Sequence, residues 1–205
     1  LVSVFYRFLA ASIIIFIYLI IKNKKLRFSL NYHIWFLIFG ISLYSLNYVF
    51  FYLSNTYLIS AFPAVVFSTV VIMNILGEAF YFKKKPSLKT LIGATIGMIG
   101  IIIIFNDEFF NFSLDNGVHV GLSLALLGTF SASTGNMIYQ RNLNNNFPLI
   151  QTLAYAMLYG SLVTLLITQL KDTELLFEYS FNYIVSLTYL SIVGSIFAFT
   201  FYLKL

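Results

Sequence analysis

One acidic residue interrupts the end of a long apolar stretch. In NILGEAFYFKKKP, residues 74–86, this residue is Glu78, and three consecutive lysines follow before a proline. Because the C-terminal end of a helix carries a partial negative charge, a carboxylate there needs a cation or water nearby. Glu78 could pair with a cation on another helix and act as a gating or coupling residue. It could equally pair with Lys83, Lys84 or Lys85, or stay hydrated at the membrane interface, and both interpretations remain open.

Several polar side chains inside other apolar stretches could contact a solute. Arg7 stands near one end of the first stretch, where it could attract a carboxylate or phosphate, or could extend its head group to the interface. An amide without a partner is costly in a dry environment, so most amides are expected to bond between helices. Asn47, followed by Tyr48, is the amide that we expect in a substrate cavity. The substrate-cavity candidates are Arg7, Tyr44, Asn47, Tyr48, Asn136 and Tyr155, with core packing as the alternative for the tyrosines.

Small and helix-breaking residues give two further indications. Gly93, Gly97 and Gly100 fall on one face of a helix and would let another backbone approach closely, so they are predicted to support helix packing. Pro63 costs little in the first turn of a helix, whereas deeper in the helix it would create a kink of the kind that marks binding sites in carriers. The sequence is compatible with either position for Pro63.

The residue types needed for most cofactor and enzyme chemistry are sparse. The sequence has no cysteine, which excludes disulfides, thiolate metal sites and a cysteine nucleophile. His33 and His119 stand alone in different stretches, so they do not suggest a metal site. No catalytic pair emerges either, and we therefore expect no cofactor and no enzymatic activity.

The composition indicates the surroundings of these residues. Hydrophobic residues make up 60% of the 205 residues and charged residues 9%, whereas about one quarter of an ordinary soluble domain is charged. A water-soluble form would expose large apolar patches. The net charge of +5 does not suggest nucleic-acid binding, because the cations lie between apolar stretches rather than on one face. The chain is therefore predicted to be an integral protein of the lipid bilayer.

Seven apolar stretches are long enough to cross a bilayer as helices, which requires roughly 20 residues. Helices are favoured over barrel strands because the stretches are continuously apolar rather than alternating. The predicted spans cover approximately residues 3–22, 33–54, 59–82, 88–105, 118–139, 149–170 and 183–203. The sequence thus predicts an all-α membrane protein.

The charged residues between these spans predict their orientation. Cations occupy alternate loops, at Lys22 to Arg27, at Lys83 to Lys89 and at Arg141, and Lys204 follows the last span; the positive-inside rule places these cations in the cytoplasm. The other loops are rich in acids. This distribution predicts that the first residue lies outside and the last inside. The acids of the outer loops are Asp107, Glu108, Asp115, Asp172, Glu174 and Glu178.

Two similar segments, VFFYLS at 49–54 and FTFYLK at 199–204, lie 150 residues apart and suggest an internal repeat. From residue 7 to about 105 the sequence resembles the first half of EamA-type carriers of the drug/metabolite transporter superfamily. The resemblance depends on the Arg7-Phe8 pair that opens one span, the Gly77-Glu78 pair that closes another, and the glycines of the next. Residues 121–203 resemble the start of the second half of such carriers.

The resemblance implies a ten-helix bundle of two inverted five-helix repeats with both termini in the cytoplasm. Residues 1–110 would form the first repeat without its first span, and residues 118–205 the second without its last two. A chain that begins inside and loses its first helix begins outside, which agrees with the orientation derived from charge. The resemblance also implies that the three glycines form a helix contact or a homodimer.

These observations favour a small-molecule carrier of the bacterial inner membrane that works by alternating access. Few charges lie within the spans, which favours a neutral or zwitterionic solute such as an amino acid or a similar metabolite, moved inward or exported. A membrane-embedded enzyme, or a structural or assembly subunit, is the alternative.

Overall fold

The computed structural model describes residues 1–59, 61–104, 117–171 and 174–203, and its regular elements there are seven helices. The polypeptide is apolar enough that backbone groups must be satisfied within each helix rather than by water. The helices are α1 (Val2–Ile21), α2 (Leu30–Ser54), α3 (Ala61–Tyr81), α4 (Leu88–Ile104), α5 (Val118–Asn144), α6 (Leu149–Leu170) and α7 (Phe181–Tyr202).

Six of the described helices have the length and apolarity to cross a membrane, and α4 is a shorter apolar helix. The prediction of an all-helical membrane protein is confirmed. The predicted span 88–105 corresponds to α4, which has 17 residues and is shorter than the six membrane-length helices. By helix length, the described residues therefore contain six of the seven predicted spans. Five residues used for the predicted orientation lie outside the described residues, namely Asp107, Glu108, Asp115, Asp172 and Lys204.

Left-handed residues end three of the helices. Asn23, Lys83 and Asn146 have φ angles of 48°, 54° and 56°. After Asn23 the chain folds back so that the Lys24 amide donates to the Leu19 carbonyl at 2.9 Å. Such turns satisfy carbonyl groups that the last helical turn leaves without partners. The short loops between the helices are therefore defined by local backbone chemistry.

Helices α2 and α7 each contain a π-helical turn, at Ser42–Leu46 and Ile192–Phe197. A π turn contains an extra residue and disturbs the regular backbone hydrogen bonds, which other groups must then satisfy. The two turns begin 150 residues apart, at the same spacing as the two similar sequence segments.

The chain forms two compact units, and the first comprises Leu1–Leu46 with Ile138–Leu205. In this unit α1 packs on α6, and the Ser12 hydroxyl donates to the Ala154 carbonyl at 2.9 Å. The first part of α2 also packs on α6, where a Cβ atom at Gly40 would overlap the Ala156 carbonyl oxygen. Helix α7 packs on α1. Small residues therefore set the closest helix contacts of the first unit.

The second unit comprises Asn47–Met137. Here the last part of α2 approaches α5, and the Ser54 hydroxyl donates to the Gly121 carbonyl at 2.8 Å. Gly121 is required by this approach, since a Cβ atom there would lie 2.6 Å from Leu58 Cγ. Helix α4 packs against the first part of α3.

The predicted glycine contact of α4 is not formed among the described residues. A Cβ atom at Gly93, Gly97 or Gly100 would meet no atom within 4 Å. The reason is that α4 contacts α3 through other positions, which leaves the glycine face open in this part of the chain. The alternative of a contact with a second copy of the protein stays a prediction.

Candidate functional site

A pocket of about 340 Å³ lies in the second unit, between the last part of α2 and the first part of α3. This volume falls within the range of small-molecule sites, about 300 to 1,000 Å³. The wall is mainly apolar and aromatic, with two amide side chains. The residues that line the pocket are Asn47, Tyr48, Phe51, Asn55, Pro63, Ala64 and Phe67.

The end of α2 and the residue that follows it supply both amides of the pocket. Asn47, Phe51 and Asn55 follow one another at intervals of four residues, a spacing that places side chains one above another on a helix. An aromatic ring therefore lies between two amides. This arrangement offers a flat apolar surface together with hydrogen-bonding groups at its ends.

Asn47 is the polar group of greatest interest in the pocket. Its side chain is 8% exposed, and its Oδ1 atom is buried and accepts no hydrogen bond from the described residues. A buried acceptor without a donor costs about 1 to 3 kcal/mol. A solute that presented an N–H or O–H group would remove this cost.

Aromatic and proline residues form the apolar part of the wall. The rings of Phe51 and Phe67 meet edge to face with centroids 5.4 Å apart, a favourable geometry for aromatic pairs. Pro63 is the third residue of α3 and therefore lies in the first helical turn, where it removes no intrahelical hydrogen bond. Of the two positions compatible with the sequence, Pro63 takes the helix-start position, and it contributes its ring to the pocket.

Helix α5 holds the pocket wall in place from behind. A Cβ atom at Gly128 would lie 2.8 Å from Phe51 Cε2 and 3.3 Å from the Asn47 carbonyl oxygen. The absence of a side chain at Gly128 thus creates the space in which the Phe51 ring sits. A larger residue at this position would push the ring toward the pocket.

Asn136 lies elsewhere in the second unit and bonds between helices. Its Nδ2 donates to Asn74 Oδ1 at 3.3 Å, which joins α5 to α3. Such bonds contribute about 0.6 to 2 kcal/mol in membranes. The next residue of α5, Met137, packs over Gly77, where a Cβ atom would lie 2.8 Å from its sulfur. Asn136 does not line the pocket in the described part of the chain.

Glu78 is half-buried on α3, one turn after Asn74. Among the described residues its carboxylate forms no salt bridge, including with the exposed lysines that follow it. Its backbone carbonyl accepts hydrogen bonds from the amides of Phe82, at 3.0 Å, and Lys84, at 3.3 Å. The gating or coupling role of Glu78 stays a prediction.

The other three candidates lie in the first unit and contact neighbouring elements. Arg7 on α1 donates from Nε to Ser195 Oγ and from Nη2 to the Gly194 carbonyl, both at 2.8 Å. Tyr44 is fully buried, with its ring 4.9 Å from that of Phe199. The Tyr155 hydroxyl donates to the Leu26 carbonyl at 2.7 Å. In this structure these three side chains support packing, and their predicted contact with a solute stays a prediction.

Two contacts of the first unit were not expected from the sequence. The Arg141 guanidinium lies 3.7 Å above the Trp35 ring, a cation–π contact. His33 Nδ1 is 2.7 Å from the Tyr159 hydroxyl oxygen. Both pairs are more than 100 residues apart in sequence, and no local spacing could have indicated them.

Six membrane-length helices among the described residues define a multi-pass helical membrane protein, and its second unit contains a pocket of about 340 Å³. A family model for the EamA-like transporter family matches residues 1–106, which is more than half of the 205-residue chain. The chain belongs to the EamA-like transporter family, so it is a membrane transporter. No curated protein and no solved structure gives a significant match.

Proposed function

We propose that this transporter moves a small neutral or zwitterionic organic solute and binds it in the pocket between α2 and α3. The observation that carries the proposal is Asn47, a residue that lines a pocket of about 340 Å³ and whose buried Oδ1 atom lacks a donor among the described residues. Tyr48 and Asn55 add further polar groups to the same wall. A solute with an N–H or O–H donor would fit these groups.

The charge of the pocket limits the class of solute. None of the residues that line it is charged, and an ion buried in the membrane without a partner is strongly disfavoured. A neutral solute, or a zwitterion whose charges largely compensate one another, avoids this cost. We expect an amino-acid-like metabolite, with export as one direction to be tested.

The proposal includes alternating access between two inverted repeats, with α4 counted as a seventh span of a ten-helix bundle. Helices α1 and α6 begin 147 residues apart, from Val2 and Leu149, and α2 and α7 begin 151 apart, from Leu30 and Phe181. The packing within the first unit supports the same pairing, because α1 and α6 contact each other while α2 packs on α6 and α7 on α1. Each equivalent helix comes five spans after its counterpart when α4 is counted, and an odd offset reverses the direction in which the helix crosses the membrane, so the second repeat would be inverted, as in many carriers.

The remaining parts of the proposal concern location and assembly. We place the protein in the inner membrane of a bacterium, with the lysine-rich helix ends in the cytoplasm. The open glycine face of α4 could accept a second copy of the chain. Cross-linking in native membranes, with Gly97→Leu as the variant, would test the dimer.

The experiment that tests the solute site compares Asn47→Leu with the unchanged protein in liposomes. Uptake is measured for a panel of neutral, zwitterionic and anionic solutes, and stability by thermal unfolding in detergent. If Asn47 binds the solute, Asn47→Leu should lose transport while its stability rises by about 1 kcal/mol, since an unsatisfied buried acceptor is removed. The control is Asn182→Leu, which changes an exposed amide on α7.

Four outcomes would count against the proposal. Normal uptake by Asn47→Leu would remove Asn47 from the site, and a clear loss of stability would indicate a structural role. Preference of the unchanged protein for anionic solutes would contradict the proposed charge of the solute. Chemical turnover of a solute without flux would favour the enzyme alternative.

A further inference from the structure

The two π-helical turns are equivalent positions of the repeat and share a buried serine. Ser45 lies in the turn of α2 and Ser195 in the turn of α7, 150 residues apart, and both are 0% exposed. Since the backbone of a π turn departs from the regular helical pattern, its polar groups need partners from side chains. The partners of the two serines differ.

In α7 the turn is held by one arginine of α1. Arg7 Nε donates to Ser195 Oγ at 2.8 Å, and this hydroxyl donates in turn to the Leu190 carbonyl at 2.9 Å. Arg7 Nη2 donates to the Gly194 carbonyl at 2.8 Å. A single charged side chain thus satisfies the serine and a backbone carbonyl of the turn together.

In α2 the turn is held by neutral groups and by close packing. Thr164 Oγ1 of α6 donates to Ser45 Oγ at 3.0 Å. One helical turn before Thr164, a Cβ atom at Gly160 would lie 2.7 Å from the Gly40 carbonyl oxygen and 2.7 Å from Tyr44 Cβ. The two backbones are therefore in contact, and no side chain can rotate away to part them.

The space next to the α7 turn is less tightly filled. An apolar groove of about 370 Å³ is bordered by α1 and α7 and by the start of α6. Ile14 and Tyr18 line it from α1, and Ile192, Ile196 and Phe197 from α7. A helix in a close-packed interior resists displacement because neighbouring atoms surround it on every side. Fewer protein atoms among the described residues therefore hold helix α7 from this side.

We propose that Arg7 is a positioning residue that holds the π turn of α7 against α1, and that this contact, rather than the α2–α6 contact, opens during transport. The opening follows from the contact chemistry, because one arginine side chain that changes rotamer releases both of its bonds at once. The link to transport rests on the proposed function. The geometry of the contact is independent of the proposed function.

Thiol labelling tests this inference because the chain has no cysteine of its own. Ser191→Cys places a reporter at the start of the α7 turn, and Ser161→Cys places a matched reporter on α6. Both serines are buried, at 1% and 0% exposure, and both donate to a carbonyl of their own helix. The full chain in membrane vesicles is treated with N-ethylmaleimide, and rates are normalised to the unfolded protein.

We expect Ser191→Cys to react about tenfold faster than Ser161→Cys, since local opening exposes only the α7 turn. Adding Arg7→Met should raise the labelling rate of Ser191→Cys by about a further fivefold and leave the rate of Ser161→Cys unchanged. The size of this increase is what the loss of hydrogen bonds between two membrane helices would produce. Arg7→Lys, which keeps the charge but not the forked donors, should give an intermediate rate.

Equal rates for the two reporters, or no response of Ser191→Cys to Arg7→Met, would overturn the inference. If Arg7→Met does not fold, Arg7→Lys and Ser195→Ala replace it and must show the same selectivity. The labelling requires no solute. A positive pattern without any measurable flux would therefore leave the α7 contact established and would reject the proposed function alone.

Discussion

The α2–α6 and α1–α7 contacts occupy equivalent places in the first unit but are held by different chemistry. Each brings a π-helical turn with a buried serine against a neighbouring helix. In α2–α6 the neighbours are the glycines Gly40 and Gly160, so the backbones themselves touch. In α1–α7 the π turn is bonded by the Arg7 side chain, and the helices also meet at Ser3–Tyr183 and Phe8–Phe199. Two contacts that each involve a π-helical turn therefore need not have equal resistance to separation.

With contacts of these two kinds, a membrane transporter could keep one contact closed while the other moves. Glycine contacts depend on backbone position, and any opening must part many atoms at once. An arginine contact depends on rotamers and hydrogen bonds of one side chain, which has alternative conformations. Substitutions that act on one contact at a time measure this difference.

The largest effect is expected for Gly40→Ala. The added Cβ would overlap the Ala156 carbonyl oxygen, which belongs to a helix backbone and cannot rotate away. We expect a loss of about 3 kcal/mol in the free energy of unfolding, the upper range for overpacked sites. The measurement is thermal or detergent-induced unfolding of the purified protein.

The matched control is Gly194→Ala in the other contact. Its Cβ would lie 3.3 Å from Arg7 Nη2, at the end of a flexible side chain. This substitution should change stability by less than about 1 kcal/mol, since the side chain can adjust. An equal loss for both alanine variants would show that the two contacts are equally rigid.

An intermediate effect is expected for Arg7→Met. The methionine fills part of the space but leaves the Gly194 carbonyl and Ser195 without their charged donor. We expect unfolding to become easier by about 2 kcal/mol, as for other buried groups that lose a partner. Arg27→Met changes an exposed arginine in the loop after α1 and serves as the control. Similar losses for both variants would mean that Arg7 contributes through charge alone.

The smallest effect is expected for Thr164→Val. This change removes the hydrogen bond to Ser45 Oγ and keeps the shape of the side chain. The expected loss is about 0.6 kcal/mol, the average for polar contacts between membrane helices. Thr188→Val, at an exposed position where the hydroxyl bonds only within its own helix, is the control. If Thr164→Val lowers the free energy of unfolding more than Arg7→Met does, the proposed difference between the α2–α6 and α1–α7 contacts is wrong.

The helices themselves could be predicted closely. The span predicted at 149–170 coincides with α6, and the span predicted at 3–22 differs by one residue from α1 at each end. The largest error was α5, which continues to Asn144 although its span was predicted to end at 139. Hydropathy reports where polar residues begin, whereas this helix continues through polar residues to Asn144, two residues before the left-handed Asn146.

The candidate site could be predicted in part. Asn47 and Tyr48 were predicted to border a cavity, and both line the pocket of the second unit. Phe51, Asn55 and Phe67 were not singled out, although the four-residue spacing from Asn47 to Asn55 was a usable signal. The role of the pocket in binding a solute stays a prediction.

The sequence by itself determined the membrane environment, the helices and several of their ends. These features follow from local sums of apolar area and charge, and from turn residues such as Asn23 and Asn146. Only the tertiary structure decided that Arg7 meets Ser195, 188 positions away, and that Asn47 lacks a donor among the described residues. The reason is physical: a partner depends on how each helix is rotated and at what depth it packs, and contacts between distant segments fix both.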